Sequence, residues 1–322
     1  MGVGLDSPFL ERLERWLYAH HPKYWIDVVE PKKTDILYRN LDEDKRVLLE
    51  SYRRTSGVMN YVRLINGAFS TKPTSEWEEP DPIPWQAIMG REGNIYETYD
   101  EFMDAEGHRD WPSIAVYFYR DEWIMGDIEY QQALFEEIYK HQYNPIIFYG
   151  QYGSNPRVGI PNMKLSMNHL FGKDVFPFDV LINTCKFSFQ SLGAQTLEEL
   201  KLQDVPIVQG YTIYMDEKSW AENPQGVTPL DVNLSISQPE LDGVIQGGVV
   251  ACQTYDERGH YVYLPVKERI AAIVQRAIKW STLRHIPVSE RKVAVILHNY
   301  PPKNSNIGSA AGLDTPESVL RL

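Results

Sequence analysis

Between residues 112 and 285, short apolar runs alternate with helical patterns, and this alternation limits the fold more than any other feature of the chain. Residues 114–119 (IAVYFY), 145–149 (PIIFY), 178–183 (FDVLIN) and 206–209 read as buried strands, and 244–251 as a last, glycine-interrupted one. The intervening spacing predicts helices over 127–142, 162–171 and 196–202, and a short one around 219–222. The third opens with a Thr196 to Glu199 capping box. Strands this apolar are covered on both faces, and strands separated by helices form βαβ units. The expected fold class is therefore α/β, with a doubly wound, mostly parallel sheet. Residues 267–285 close the pattern: Ile270, Ile273, Val274, Ala277, Ile278 and Ser281 share one helical face. Glu268 at its start and Lys279, Arg284 and His285 at its end complement the helix dipole, and Pro287 stops it.

The first third reads as helical and irregular. Ser7 and Pro8 start a helix with Phe9, Leu10, Leu13, Trp16 and Leu17 on one face, ending at His21-Pro22. Further helices are expected at about 42–52, 57–66 and 98–104. Residues 70–95 read as a loop broken by Pro73, Pro80, Pro82 and Pro84, with Trp77 and Trp85 pinning it to a core. At the other end, 292–297 (KVAVIL) reads as the strand that opens a second α/β unit. The expected division is 1–110 (helical, irregular), 111–286 (α/β) and 287–322 (the truncated start of a further α/β domain). A chain that stops two turns into its last helix is expected to be the front part of a longer protein.

Composition narrows the function. With 44 acidic and 32 basic residues, the net charge is −12, and the basic residues are dispersed, which argues against nucleic-acid binding. Two cysteines, Cys185 and Cys252, lie far apart without a CxxC or Cys/His cluster, so neither a zinc site nor a disulfide framework is expected. The opening residues MGVGLDSPFLERLERW lack the apolar core expected of a signal peptide, and no run approaches the roughly 20 apolar residues of a membrane span. A cytoplasmic setting is the expectation.

The candidate site follows the 292–297 run. His298-Asn299-Tyr300-Pro301-Pro302-Lys303-Asn304, then Asn306-Ile307-Gly308, then Gly312-Leu313-Asp314-Thr315-Pro316-Glu317-Ser318 make a polar loop that leads into a helix start. His298 and the asparagines can bind a polar ligand, or can close the strand end and form turns. Thr315 is expected to cap the helix, with Pro316 as its first residue, leaving N–H groups near Gly308 that suit a carboxylate or phosphate. There is no GxxxxGK[ST] and no GxGxxG after a strand. Gly243, Gly247 and Gly248 mark either turns and bulges or a close ligand approach. Glu240 and Asp242 sit in a turn that is solvated or holds a cation. Asn183-Thr184-Cys185 ends a strand at the edge of the expected crevice, with Cys185 a small packed residue rather than a nucleophile. His20, His21 and His169 read as structural. No HExxH, GxSxG or acid pair stands out.

Residues 294–322 (AVILHNYPPKNSNIGSAAGLDTPESVLRL) resemble the CobN and magnesium chelatase large-subunit family, in which a strand leads into an [HA]NYP loop, an Asn-x-[IL]G pair and a G[VL]DTP[EA]S helix start. FDVLINTCKFSFQ, DVPIVQGYTIYMDEKSW and LSISQPELDG, within 178–243, are also similar to the family, and weaker likeness covers 112–149 and the N-terminal third. The resemblance implies an ATP-dependent chelatase that inserts a divalent metal into a tetrapyrrole. Cobalt and a hydrogenobyrinic acid diamide are favoured over magnesium and protoporphyrin. Separate AAA+-type ATPase subunits would be its partners. The metal would be a substrate ion, with no cofactor held tightly by this chain. His298, Asn299, Tyr300, Asn304, Asn306, Gly308, Asp314 and Thr315 would bind or orient the macrocycle. The family's HGxxEW segment, suited to supply acid–base groups, is absent, so this chain alone is expected to be inactive in insertion. The other readings are a magnesium-type porphyrin-binding subunit and a non-catalytic docking module for the ATPase subunits.

Overall fold

The computed structural model describes residues 26–28, 36–38, 42–55, 57–150, 161, 163–172, 175–189, 204–256, 259–298, 301–303, 306, 308 and 313–322. The expected helices near 9–17 and at 196–202, with the Thr196 capping box, lie outside the described residues, as do His20 and His21. The chain divides into two compact units, residues 1–278 and 279–322.

The first unit begins with β1 (Ile26–Val28) and β2 (Ile36–Tyr38), an antiparallel pair. Helices α1 (Glu43–Thr55) and α2 (Val58–Phe69) follow. They bury Leu49, Tyr52 and Leu64 in a small core of their own, against which Trp77 packs. The stretch expected to be loop contains two short strands, β3 (Ala87–Met89) and β4 (Ile95–Tyr96). Helix α3 (Tyr99–Ala105) carries a complete capping box between Thr98 and Glu101.

Next come β5 (Ser113–Tyr119), α4 (Arg120–Met125), α5 (Glu129–Lys140), β6 (Asn144–Gly150), α6 (Met163–Phe171), β7 (Val180–Asn183) and β8 (Ile207–Ile213). Helix α7 (Glu217–Glu222) leads to a helical run the sequence did not signal: α8 (Pro229–Asp231), a π-helical segment (Val232–Ser237) and α9 (Gln238–Glu240). Strands β9 (Ile245–Tyr255) and β10 (Tyr261–Pro265) and helix α10 (Lys267–His285) complete the main architecture.

Eight of these strands form one sheet in the order β10-β9-β8-β7-β5-β6-β3-β4. The five central strands, β9-β8-β7-β5-β6, are parallel, and the β10, β3 and β4 edges are antiparallel. The α/β class with a mostly parallel sheet is therefore found. The apolar runs explain it. Every residue of β6 and β7 is buried, as are the first six of β5, so both faces need cover that crossing helices supply. Each large apolar side chain so buried contributes roughly 1.5–3 kcal/mol. Tyr117, Phe118, Phe148, Phe135 and Tyr130 dominate the core by volume.

In the second unit, residues 292–297 pair with no strand among the described residues. Val293 is 84% exposed and Ile296 92% exposed. The strand expected there does not form, because an apolar run becomes a strand only beside a hydrogen-bonding neighbour. Helix α11 (Thr315–Arg321) follows.

Candidate functional site

The sheet order fixes where a ligand crevice lies. The chain crosses from β5 outward to β6, then returns to β7 on the other side of β5. Connections that leave in opposite directions open a gap at the carboxyl ends of the two strands, where open α/β sheets hold ligands. Strand β5 runs directly into Arg120, Asp121 and Glu122 of α4, and β7 into Thr184, Cys185 and Lys186.

The floor of this crevice is a buried polar network. Asn183 Nδ2 donates to Gln209 Oε1 (2.8 Å), Gln209 Nε2 to the Cys185 carbonyl (2.8 Å), and the Cys185 N–H to Asn183 Oδ1 (3.2 Å). These bonds knit the ends of β7 and β8. Thr184 Oγ1 donates to the Tyr117 carbonyl at 2.9 Å and lies 3.1 Å from the Tyr130 hydroxyl, which is 2.6 Å from Glu122 Oε2. Gln131 Nε2 donates to the same oxygen at 2.7 Å, and its own Oε1 is buried without a partner.

The Tyr130 hydroxyl donates to Glu122 Oε2, and Thr184 gives its own proton to the Tyr117 carbonyl. Desolvation nevertheless pushes the Glu122 carboxyl up to about 8, against the lowering effect of the Tyr130 hydroxyl.

Lys186 is only 5% exposed. Its Nζ donates to the Tyr263 hydroxyl at 3.1 Å and stands 3.4 Å from the centre of the Tyr214 ring. Burial pulls its amine down to about 8, opposed chiefly by the Asp231 carboxylate and then by Glu122. Neither carboxylate comes within 4 Å of Nζ among the described residues. Asp231 is instead held by the Thr228 hydroxyl (2.6 Å) and the Tyr214 N–H (3.1 Å).

The backbone carrying Lys186 is braced. Phe187 adopts φ 70°, a left-handed conformation that bulky residues avoid, and its N–H is fixed to the Leu234 carbonyl at 2.7 Å. Asp242 accepts from the Ser188 hydroxyl at 2.7 Å and from the Phe189 N–H at 2.5 Å. Neither sequence reading of Asp242, a solvated turn or a cation ligand, matches this role.

Beside the crevice, Arg120 is 2% exposed and donates to the carbonyls of Pro84 (2.8 Å), Ile83 (3.2 Å) and Thr55 (3.4 Å), over the Trp85 ring. It ties the proline-rich loop and the end of α1 to the sheet, which is how Trp85 is pinned. An open groove of about 580 Å3 lies elsewhere, lined by Glu129, Glu136, Glu137, Lys140 and Lys267 among others, and shares no residue with the crevice network.

In the second unit, the sequence-derived residues fall as follows. Asn299, Tyr300 and Asn304 lie outside the described residues. The His298 carbonyl accepts from the Gly308 N–H at 2.8 Å. Asn306 donates from its N–H to the Lys303 carbonyl (2.9 Å) and from Nδ2 to the Pro301 carbonyl (3.1 Å), which is turn-making. Gly308 has φ 71°, and a Cβ there would lie 2.7 Å from Thr315 Cγ2, so only glycine fits. The helix cap is Asp314, not Thr315: its carboxylate accepts from the Glu317 N–H at 3.1 Å. Thr315 is the first helical residue, and its buried hydroxyl donates to the Gly308 carbonyl. The helix start therefore carries its own carboxylate, which disfavours the anion expected there.

The remaining motifs resolve toward structure. Gly243, at φ 77°, forms a turn, and a Cβ at Gly247 would lie 2.3 Å from the Gln209 carbonyl, so this glycine lets β9 approach β8. Cys185 is buried, its thiol pushed well up by desolvation, as suits a packed residue. Among the described residues, no group of three or more His, Cys, Asp or Glu side chains is placed to hold a metal ion, and no helix is long and apolar enough to cross a membrane. Sequence reasoning reached Thr184 and Cys185 but missed Glu122, Lys186, Tyr130, Tyr214, Asp231 and Tyr263. The available signal was position: Glu122 and Lys186 each lie three residues beyond an apolar strand run.

The chain matches the CobN/magnesium chelatase family model over residues 50–322. It is 31% identical over 303 residues to the uncharacterized protein MJ0908 of Methanocaldococcus jannaschii, covering 88% of this chain and 24% of that protein. It is 26% identical over 259 residues to the aerobic cobaltochelatase subunit CobN of Pseudomonas aeruginosa, covering 76% and 19%. Its fold is similar to that of the catalytic subunit of cobaltochelatase from Mycobacterium tuberculosis, with a TM-score of 0.66, 20% identity, and coverage of 97% of this chain and 25% of that one. The chain thus spans a quarter or less of the length of these proteins. It belongs to the CobN/magnesium chelatase family.

Proposed function

We propose that this chain is part of the large subunit of an ATP-dependent metal chelatase of the cobalt type, acting in cobalamin biosynthesis on a corrin-type tetrapyrrole. The observation that carries the reading is the family match over residues 50–322, joined to likeness with a cobaltochelatase subunit. Insertion requires that the ring lose its pyrrole protons and the metal its waters, which takes a base and polar ligands in a dry cavity. ATP is hydrolysed by separate AAA+-type partner subunits. This chain binds or orients the macrocycle, and the acid–base groups belong to the HGxxEW segment that its sequence lacks.

Two measurements test this. Tryptophan fluorescence is followed while a cobalt-free corrinoid, and separately protoporphyrin, is titrated into the 322-residue chain. Saturable quenching by the corrinoid at micromolar concentration is expected. Quenching by protoporphyrin alone would move the assignment to the magnesium type, and no response to either would leave a docking module for the ATPase subunits. In the second, the chain is mixed with tetrapyrrole, cobalt, ATP and the partner subunits. No turnover is expected; turnover would show that the chemistry lies within residues 1–322.

A further inference from the structure

The backbone of the buried lysine at the strand switch is tied to the Tyr119 hydroxyl of β5, which leaves the role of its ammonium to be explained. Its ammonium can donate three hydrogen bonds, and among the described residues it makes one, to Tyr263. A buried ammonium without an ion pair is costly, and a fold that needed only packing here would place an apolar side chain in its stead. The Tyr214 ring, itself 40% exposed, lies over Nζ, and the Tyr263 ring stands 5.4 Å away. Lys186 itself stands three residues past the end of β7, at the crevice where open α/β sheets hold ligands.

We propose that this crevice binds the carboxylate of an organic ligand on Lys186 Nζ, with the Tyr214 ring displaced and the Tyr263 hydroxyl beside it. The charges of the neighbours select the ligand. The Asp231 carboxylate acts on this single lysine, so a dianionic phosphate meets more repulsion than a monoanion does, and the sequence carries no phosphate loop. Burial raises the Glu122 carboxyl and so favours its neutral form, which does not oppose a monoanion. Asp231 is held by Thr228 and the Tyr214 N–H, and does not compete for Nζ. The strained Phe187 backbone and its Leu234 and Asp242 anchors fix Lys186 in place before the ligand arrives.

Two sources share this chemistry: a small organic acid, and a peripheral carboxylate of a tetrapyrrole. Only the second rests on the chelatase reading. The test uses the 322-residue chain and measures binding of propionate, propionamide and inorganic phosphate by saturation-transfer NMR, and of a carboxylate-bearing porphyrin by fluorescence. Propionate is expected to bind at least tenfold more tightly than propionamide or phosphate, and Lys186→Met to lose at least tenfold in propionate affinity at a melting temperature no lower than that of the wild type. Tyr214→Ala is expected to strengthen propionate binding severalfold. Porphyrin binding that falls in parallel in Lys186→Met assigns the source to a tetrapyrrole. Porphyrin binding that ignores the substitution, with propionate still sensitive, assigns it to a small acid. Equal binding of propionate and propionamide overturns the proposal, as does propionate affinity untouched by Lys186→Met. Should that variant fail to fold, propionate binding unaffected by Tyr214→Ala overturns it in its place.

Discussion

Glu122 shows how a single side chain is set by its surroundings. Its ordinary value is 4.5, and burial raises it to about 8. Between those values the folded chain holds a proton that the unfolded chain has lost, so stability falls as pH rises from 4.5 to 8. Glu122→Gln keeps a neutral hydrogen-bonding group and removes this dependence. Urea unfolding is expected to show wild type and variant within about 0.5 kcal/mol at pH 5, and the variant more stable at pH 8 by on the order of a few kcal/mol. A parallel pH profile in the two proteins would show that Glu122 ionises freely. Lys186 behaves in the opposite sense: its amine drops from 10.5 to about 8, so the cost of its buried charge is present below pH 8 and relieved as pH rises toward 10.5. Gly247 makes a steric test. Ala there would place a Cβ 2.3 Å from the Gln209 carbonyl, and a loss of about 2 kcal/mol in unfolding free energy is expected.

Elements differ in how openly the sequence announces them. Helix α10 was read with both ends correct, because its apolar face, terminal charges and Pro287 agree. The parallel strands were also legible, since a run such as IAVYFY is too apolar for any but a covered position. The capping box of α3 lay unread in Thr98 and Glu101. Thr98→Ala is expected to cost about 1 kcal/mol in chemical unfolding, and a change below about 0.2 kcal/mol would mean that the cap adds nothing. Strands β3 and β4 are hidden in a proline-rich stretch because they are only three and two residues long. Residues 292–297 went the other way. Their composition says strand, but strand formation needs a partner that composition cannot supply. Substituting Val293 and Ile296 with Lys in this chain is expected to change stability by less than about 0.5 kcal/mol, since both are exposed; a larger loss in thermal unfolding would show hidden packing.

At the scale of the molecule, strand order turns local patterns into a site. The α/β class, the parallel character of the sheet and, through the HNYP and GLDTPES motifs, the family are all legible in the order of residues. Each depends on residues close together in the chain. Asn306 was also legible as a turn former, which its hydrogen bonds to the Pro301 and Lys303 carbonyls bear out. That β5 and β7 are neighbours, and hence that Glu122 and Lys186 share a crevice with Tyr130, Tyr214, Asp231 and Tyr263, follows from the folded strand order alone. These residues are spread over 142 positions, from Glu122 to Tyr263, and no spacing rule joins them. Their protonation is likewise not a property of the sequence, because the desolvation that moves both Glu122 and Lys186 to about 8 exists only once the sheet has closed over them.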